Sequence, residues 1–521
     1  MSERTEFFQH TFNGGFSSDR GSDVQAAPRS GDVIPVPFLI DAENVIYSLD
    51  GGPGRAPGTS RLNSTVLEAG SVIKGLFDFW LTGAAGSPTQ YRIAHVGTKI
   101  KRDSADGTFI DLFTGLESGK VPDYSVLEDL LVMSSDSTTD VPKSWDGTTA
   151  QSLAGSPPNF AFSEVHVNRL WAAGDATQPS RLYYSTSLNA ADWTGKGSGY
   201  IDISPDDGDS ITGIASHKGN LFVFKGPYKG SIHFITGTSP ADFSREDYAK
   251  GVGAVGHNTI FRFLDDIGFM WSDGSIRSLK ATDATGDYTQ GALSFDIQTW
   301  IRKNVNFTRA KHFWAVNNDE YNHVLFSIAI GGSTNNNYTL MMDYRFQPVR
   351  WAMWPAFKSG CLASVIDASD RNRRIVMAGG TDGYVRKYNR ETTTIDGLTA
   401  IDYKITTPFF NYGSPVKSKT ITTASISTIK NDESAVTFGW VRDENPGQTQ
   451  TITKRGYTTL GSFVLGTDVL ASESILDLFT DLTEGGQFRS IQYQITDTAL
   501  VNFELHGFGA GINMNEGWNT E

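Results

Sequence analysis

One unit recurs from about Val72 to Lys387, and it constrains the fold more than any other feature of the chain. Each copy is an apolar strand, a tight turn of Asp, Gly or Asn, and a second, aromatic-rich strand. Clear copies read QYRIAHVGTKIKRDS, NRLWAAGDATQPSRLYYS, GNLFVFKGPYKGSIHFI, DIGFMWSDGSIRSL, NHVLFSIAIGGSTNNNYTLMMDY and NRRIVMAGGTDGYVRKY, with a weaker one in EDLLVMSSDSTTDVPKSWDG. Their spacing is roughly 40–55 residues, the period of β-propeller blades. One hairpin cannot bury its own faces, but blades stacked around an axis can. The expectation is an all-β chain with a propeller of about six or seven blades. The rival, given how degenerate the repeat is, is an irregular pair of β-sandwiches.

The stretch Asn168 to Trp193 shows the unit best. Leu170-Trp171-Ala172-Ala173 reads as a buried strand, Gly174-Asp175 as its turn, and Arg181-Leu182-Tyr183-Tyr184 as its partner. Trp193 is expected to plug the seam to the next blade. The run Leu221 to Phe224 is apolar throughout, as a strand buried on both faces should be. A helix is expected in SFDIQTWIRKNV, with Ile297, Trp300 and Ile301 on one face and Ser294 as its cap.

The pattern sets three segments. Residues 1–65 are polar and turn-rich and read as an extended arm, with short strands at Val33 to Ile40 and Val45 to Leu49. Residues 66–390 are the propeller. Residues 391–521 carry longer alternating strands, such as Ile491, Tyr493 and Ile495 against Gln492, Gln494 and Thr496, and read as a C-terminal antiparallel β-sandwich. ILDLF near Ile475 fits either a strand or one helical turn.

Charge and cysteine content narrow the partners. The net charge of −14 argues against an average surface that grips nucleic acid, since phosphate binding needs clustered Lys and Arg. An acidic wall still lets a polyanion slide past. The single cysteine, Cys361, excludes an intrachain disulfide and reads as a buried small hydrophobe. The N-terminus MSERTEFFQH has no signal-peptide core, and no apolar run approaches the ~20 residues that span a membrane. Folding in a cytoplasm is expected.

No local motif announces chemistry. The nine histidines (His10, His95, His166, His217, His233, His257, His312, His323 and His506) lack metal-site spacing and read as structural. There is neither a nucleophile elbow nor a P-loop. Gly251 to Gly256 formally contains Gly-x-Gly-x-x-Gly but lacks the strand and helix of a dinucleotide site. SPDDGDS, Ser204 to Ser210, gathers three carboxylates and reads as a blade turn rather than a calcium loop. SLNAADW, Ser187 to Trp193, is reminiscent of a sialidase Asp-box, but Asn189 and Ala191 replace its Asp and Gly. Arg92, Arg169, Arg181, Arg277 and Arg386 fit a carboxylate-binding cluster or separate turn roles equally well. The expectation is no catalytic, cofactor-binding or metal-binding residue, and no enzyme. The alternative is a glycan-binding or glycan-cleaving, sialidase-like propeller. Trp145, Trp193, Tyr228 and Tyr288 would then stack on sugar.

A family resemblance runs through these pieces. DGTTAQSLAGSPPNFAFSEVHVNRLWAAGDATQPSRLYYSTSLNAADW resembles the propeller region of tail nozzle (tail hub) proteins of short-tailed bacteriophages. The matching positions are Asp146-Gly147, Pro157-Pro158, Asn168 to Leu170, Pro179 to Arg181 and Tyr183 to Ser185. AENVIYSLDGGPGRAPGT, with Asn44-Val45 and Pro57-Gly58-Thr59, resembles the family's opening. TTPFFNYGSPVKSKTI resembles the start of its C-terminal sandwich. The resemblance implies that arm and sandwich join in a platform beside the propeller. It implies a structural virion protein in a homo-oligomeric ring, a hexamer, below the portal and the adaptor. The ring would continue the DNA channel and retain and then pass packaged DNA without sequence-specific binding. Tail fibres or a tail plug would be its other partners.

Overall fold

The computed structural model describes residues 3–9, 12, 14–19, 38–49, 51–82, 88–104, 106–285, 292–368, 372–389, 392–412, 416–429, 434–443, 447–454, 475–482, 486–500 and 502–514, apart from some side chains within these ranges. The expected strand at Val33 to Ile40 lies largely outside them, as do Tyr288 and His10. The fold is all-β: a propeller with an antiparallel β-sandwich. The chain forms two compact units. One comprises residues 61–340 and 357–388, the other 1–60, 341–356 and 389–521. Residues 341–356, read from sequence as propeller, thus belong to the second unit.

The first unit is the propeller. Four blades are four-stranded antiparallel sheets that begin with the strands Ile73–Leu81, Pro122–Leu127, Phe162–His166 and Ser210–His217. The fifth is three-stranded, Phe261–Phe263, Asp266–Met270 and Ile276–Ser278. The sixth is built on Trp314–Asn318, His323–Ile328 and Tyr338–Asp343, the seventh on Ser359–Asp367, Arg373–Gly380 and Val385–Asn389, with residues 341–343 and 389 at the ends of their strands counted in the second unit. First strands of neighbouring blades pack side by side around the axis, and the turn His257–Thr259 packs on that of the fourth blade. Among the described residues seven blades therefore form, at the upper end of the expected number.

Apolar seams hold the ring together. Phe79 and Ile93 of the first blade meet Tyr124, Leu131 and Trp145 of the second. Trp171 and Leu182 of the third meet Ile214, Leu221 and Val223 of the fourth. Phe222 and Phe224 pack on Ile267, Phe269 and Trp271 of the fifth. Phe261 meets Phe326 edge-on at 5.2 Å, and the Ser327 hydroxyl donates to the Ser359 carbonyl at 2.6 Å, joining the sixth blade to its neighbours. Ile73, Leu76 and Val96 pack on Cys361, Val365 and Met377, closing the seventh blade onto the first. At that seam a side chain at Gly360 would place its Cβ 2.3 Å from the Ile73 carbonyl oxygen. Only glycine lets the two backbones approach so closely.

The stretch Asn168 to Trp193 is a blade hairpin as read: Arg169–Ala173 is buried throughout and pairs with Arg181–Tyr184. Trp193 differs from expectation. It packs with Phe160, at 5.4 Å, against Leu127, Val132 and Leu153, so it fills the seam to the preceding blade. The Ala190 carbonyl accepts its indole N–H at 2.9 Å, and the tight turn thereby folds the ring backward. Ser294 is likewise not a side-chain cap; its hydroxyl accepts the Ile276 amide at 2.8 Å and ties the helical segment to the fifth blade. Ile297 and Ile301 are fully buried, and the Trp300 ring packs at a tilt against Tyr338.

The second unit is the sandwich. Strand Asp41–Glu43 lies between Arg350–Trp354, parallel, and Tyr403–Thr406, antiparallel. The sheet continues through Ile491–Asp497, Ser434–Arg442 and Gln448–Lys454. The other sheet orders Glu3–Gln9, Leu505–Met514, Lys419–Ile429 and Ile475–Asp481. The segment ILDLF is thus a strand. Phe508 of one sheet packs on Tyr493 of the other at 5.2 Å, with Phe410 beside both. The arm is part of this core: Ala42, Val45 and Tyr47 are buried, and the Trp354 indole N–H donates to the Val45 carbonyl at 2.7 Å. Among the described residues no helix is long and apolar enough to cross a membrane.

Candidate functional site

The residues singled out in sequence do not converge. Arg92, Arg181, Arg277 and Arg386 each pair inside their own blade, with Asp103, Asp202, Asp273 and Asp382. Arg169 donates to the Ser185 and Gly197 carbonyls. The SPDDGDS segment is a turn: Asp207 pairs with the buried Lys225 at 2.8 Å, and Asp209 accepts the amides of Tyr228, Lys229 and Gly230. The glycine run makes room for backbone, since a Cβ at Gly253 would sit 1.9 Å from the Lys225 carbonyl oxygen. Trp145 is core, Trp193 fills a seam, and Tyr228 is exposed. Among the described residues no group of three or more His, Cys, Asp or Glu is placed to hold a metal ion.

The structure instead gathers polar groups at the propeller axis. Asp123 and Glu164 lie in the largely buried first strands of adjacent blades, and His257 opens a single 3-10 turn, His257–Thr259, ahead of the fifth. Two cavities, of about 360 and 440 Å³, share His257 and Asn258 in their walls. Asp123, Asp136 and Lys311 line the smaller; Glu164, Arg262 and Trp314 line the larger. Lys311 reaches Asp136 of the second blade at 2.6 Å.

His257 is clamped between them. Its ring stacks on Phe162 with centroids 4.8 Å apart and planes within 7°. Nδ1 accepts the Ile214 amide at 3.4 Å, and Nε2 faces an Asp123 carboxylate oxygen at 3.4 Å. Burial opposes charge on the ring, but the Asp123 charge and hydrogen bond, with Glu164 nearby, outweigh it and hold the imidazole above its usual value. The other Asp123 oxygen accepts the Ser163 amide at 2.7 Å. Burial raises the Glu164 carboxyl above the usual carboxylate range, against the opposing charges of Arg262 and His257. One Glu164 oxygen accepts from Arg262 at 2.7 Å and from the Ser216 amide at 3.3 Å.

A raised acid, a carboxylate and an imidazole are the kind of groups that move protons. No local motif marks them, because each arrives from a different blade; Glu164 and its partner Arg262 are 98 positions apart. The available signal was a carboxylate inside a strand that reads as part of a buried blade, where an unpaired charge is costly.

No family model and no curated sequence matches this chain. Solved structures similar in fold include an exo-beta-1,3-galactanase from Phanerochaete chrysosporium, crystallised with galactose, at 11% identity and a TM-score of 0.26. It covers 90% of this chain and 100% of its own. A gluconolactonase from Xanthomonas campestris is 12% identical, with a TM-score of 0.31, over 68% of this chain and 96% of its own. Both of those proteins are enzymes, against the expectation that this chain is none. That expectation rested on missing local motifs, and such motifs are no guide where a propeller builds its centre from separate blades.

Proposed function

We propose that this chain is a structural subunit of a short-tailed bacteriophage tail nozzle. In this reading it forms a homo-oligomeric ring, a hexamer, below the portal and adaptor, and lines part of the path of the packaged DNA. Tail fibres or a plug are its further partners, and it resides in the virion. The observation that carries the reading is the make-up of the second unit. Residues 1–60 and 389–521 share one unit, with buried Val45 and Tyr47 of the arm in its core. An arm too polar to fold alone and a C-terminal sandwich that needs it are what the family resemblance implies. The net charge of −14 suits a wall past which phosphates slide without sticking.

The test is electron microscopy of the purified full chain at high concentration, with particle mass measured in parallel. Sixfold rings with a hole wide enough for duplex DNA are expected. Monomers at all concentrations, both alone and with the adaptor ring of the same phage, overturn the reading.

A second reading, a propeller that binds or cleaves a glycan, is favoured by one observation: the axial cavities with Glu164, Asp123 and His257 in their walls. A screen of the full chain against neutral and acidic glycans, read for binding and for turnover, tests it. Silence across the screen overturns it.

A further inference from the structure

The larger axial cavity holds polar groups that the fold leaves unused. Ser364, on the first strand of the seventh blade, has a buried hydroxyl with no hydrogen-bond partner. The Asn258 side-chain amide makes no hydrogen bond among the described residues, and neither does the second carboxylate oxygen of Glu164. All three residues line the same 440 Å³ space, with Phe77 and Trp314 in its wall. A buried polar group without a partner is destabilising, and such groups in native folds are few. The Ser364 hydroxyl is such a group, and the half-buried Asn258 and Glu164 add unused hydrogen-bonding capacity to the same wall, which a ligand can take up.

The chemistry of these groups selects the ligand. An amide both donates and accepts, a hydroxyl does the same, and a carboxylate oxygen accepts. Hydroxyl groups, which also donate and accept, complement all three. Phe77 and Trp314 offer flat apolar faces to the C–H side of a ring. The volume falls within the ordinary range of small-molecule sites, ~300–1,000 Å³. Charge disfavours an anion: Asp78, Glu164 and the adjoining Asp123 are acidic, and the one Arg in the wall, Arg262, is already paired with Glu164.

We infer that the larger axial cavity binds a neutral, hydroxyl-rich ring of monosaccharide to disaccharide size through Asn258, Ser364 and Glu164. The inference rests on the glycan reading and names its site; it is independent of ring assembly, because the cavity is built by the propeller alone.

The experiment is titration calorimetry with saturation-transfer NMR on the full chain. Glucose, galactose, N-acetylglucosamine and their β-linked disaccharides are the probes, with glucuronic acid as the anionic control. Ser364→Ala and Asn258→Ala are compared with the native chain after circular dichroism shows that each is folded. At least one neutral sugar is expected to bind in the millimolar range or tighter, glucuronic acid about tenfold more weakly, and each variant to weaken binding by about tenfold, the loss of one hydrogen bond. If sugar binds equally well to both variants, the site is wrong while the glycan reading stands. If no sugar binds at high millimolar concentration, both fall.

Discussion

Arg55 and Asp497 are fully buried and meet at 2.9 Å in the sandwich unit. Arg55 also donates to the Asp497 and Ala499 carbonyls, so the arm is locked to the loop after Ile491–Asp497 by one guanidinium. Breaking a buried pair leaves an uncompensated charge. Arg55→Ala is expected to destabilise this unit by about 3–5 kcal/mol, measured by urea unfolding. A loss of under 1 kcal/mol would mean that water reaches the site. Asp103 supplies a second residue-level prediction. Burial and its neighbour Asp106 push its carboxyl up to about 6, against Arg92 and the amides of Asp106 and Gly107. A carboxyl raised on folding favours the native state in its protonated form. Its contribution is full below its unfolded value, 3.8, and is lost as pH rises through about 6. Relative to the native chain, Asp103→Asn should therefore gain stability between pH 4 and pH 7. Denaturation curves across that range check the sign, and side-chain carboxyl NMR checks the midpoint. A midpoint below 4 would show that Arg92 wins.

Blade seams set the elements. Trp171 is fully buried between the third and fourth blades, where it packs on Tyr184 and Phe243 at about 5 Å. Trp171→Ala should cost about 3–5 kcal/mol, visible as a lower unfolding midpoint of the propeller. Gly253→Val probes the next seam from the opposite side. The Cβ would meet the Lys225 carbonyl oxygen, so backbone must shift, at a cost of about 1–3 kcal/mol or more. Hydrogen exchange localised to Asn220–Gly226 and residues 251–256 would report the opened seam. Unchanged exchange there would show that the backbone absorbs the methyl groups elsewhere. The direction in which Trp193 packs belongs to the same scale. A sequence shows that a Trp follows a tight turn, but the turn's rotation decides which neighbouring blade receives it.

Across the whole molecule, the arm is needed by the unit that the C-terminus completes. Strand Asp41–Glu43 pairs with Tyr403–Thr406 and with Arg350–Trp354, so its removal uncovers two strand edges and the face beneath Val45 and Tyr47. A chain lacking residues 1–60 should lose its sandwich to limited proteolysis while propeller fragments within 61–340 persist. Uniform resistance would show that the sandwich folds without the arm. Should the ring form, the same truncation tests whether this unit is needed for assembly.

The hydrophobic alternation, the turn residues and the recurrence of the hairpin lie within short stretches, so sequence by itself determined the all-β class, the propeller, the sandwich and the buried state of Trp171 and Cys361. These follow from local periodicity, and local periodicity is written residue by residue. Tertiary structure alone decided the number of blades, the allocation of residues 341–356 to the sandwich unit and the seam that Trp193 fills. It also decided the meeting of Asp123, Glu164, His257, Asn258 and Ser364 at the axis. Each of those outcomes depends on which distant strands become neighbours when a ring closes, and ring closure brings together residues whose spacing along the chain carries no signal.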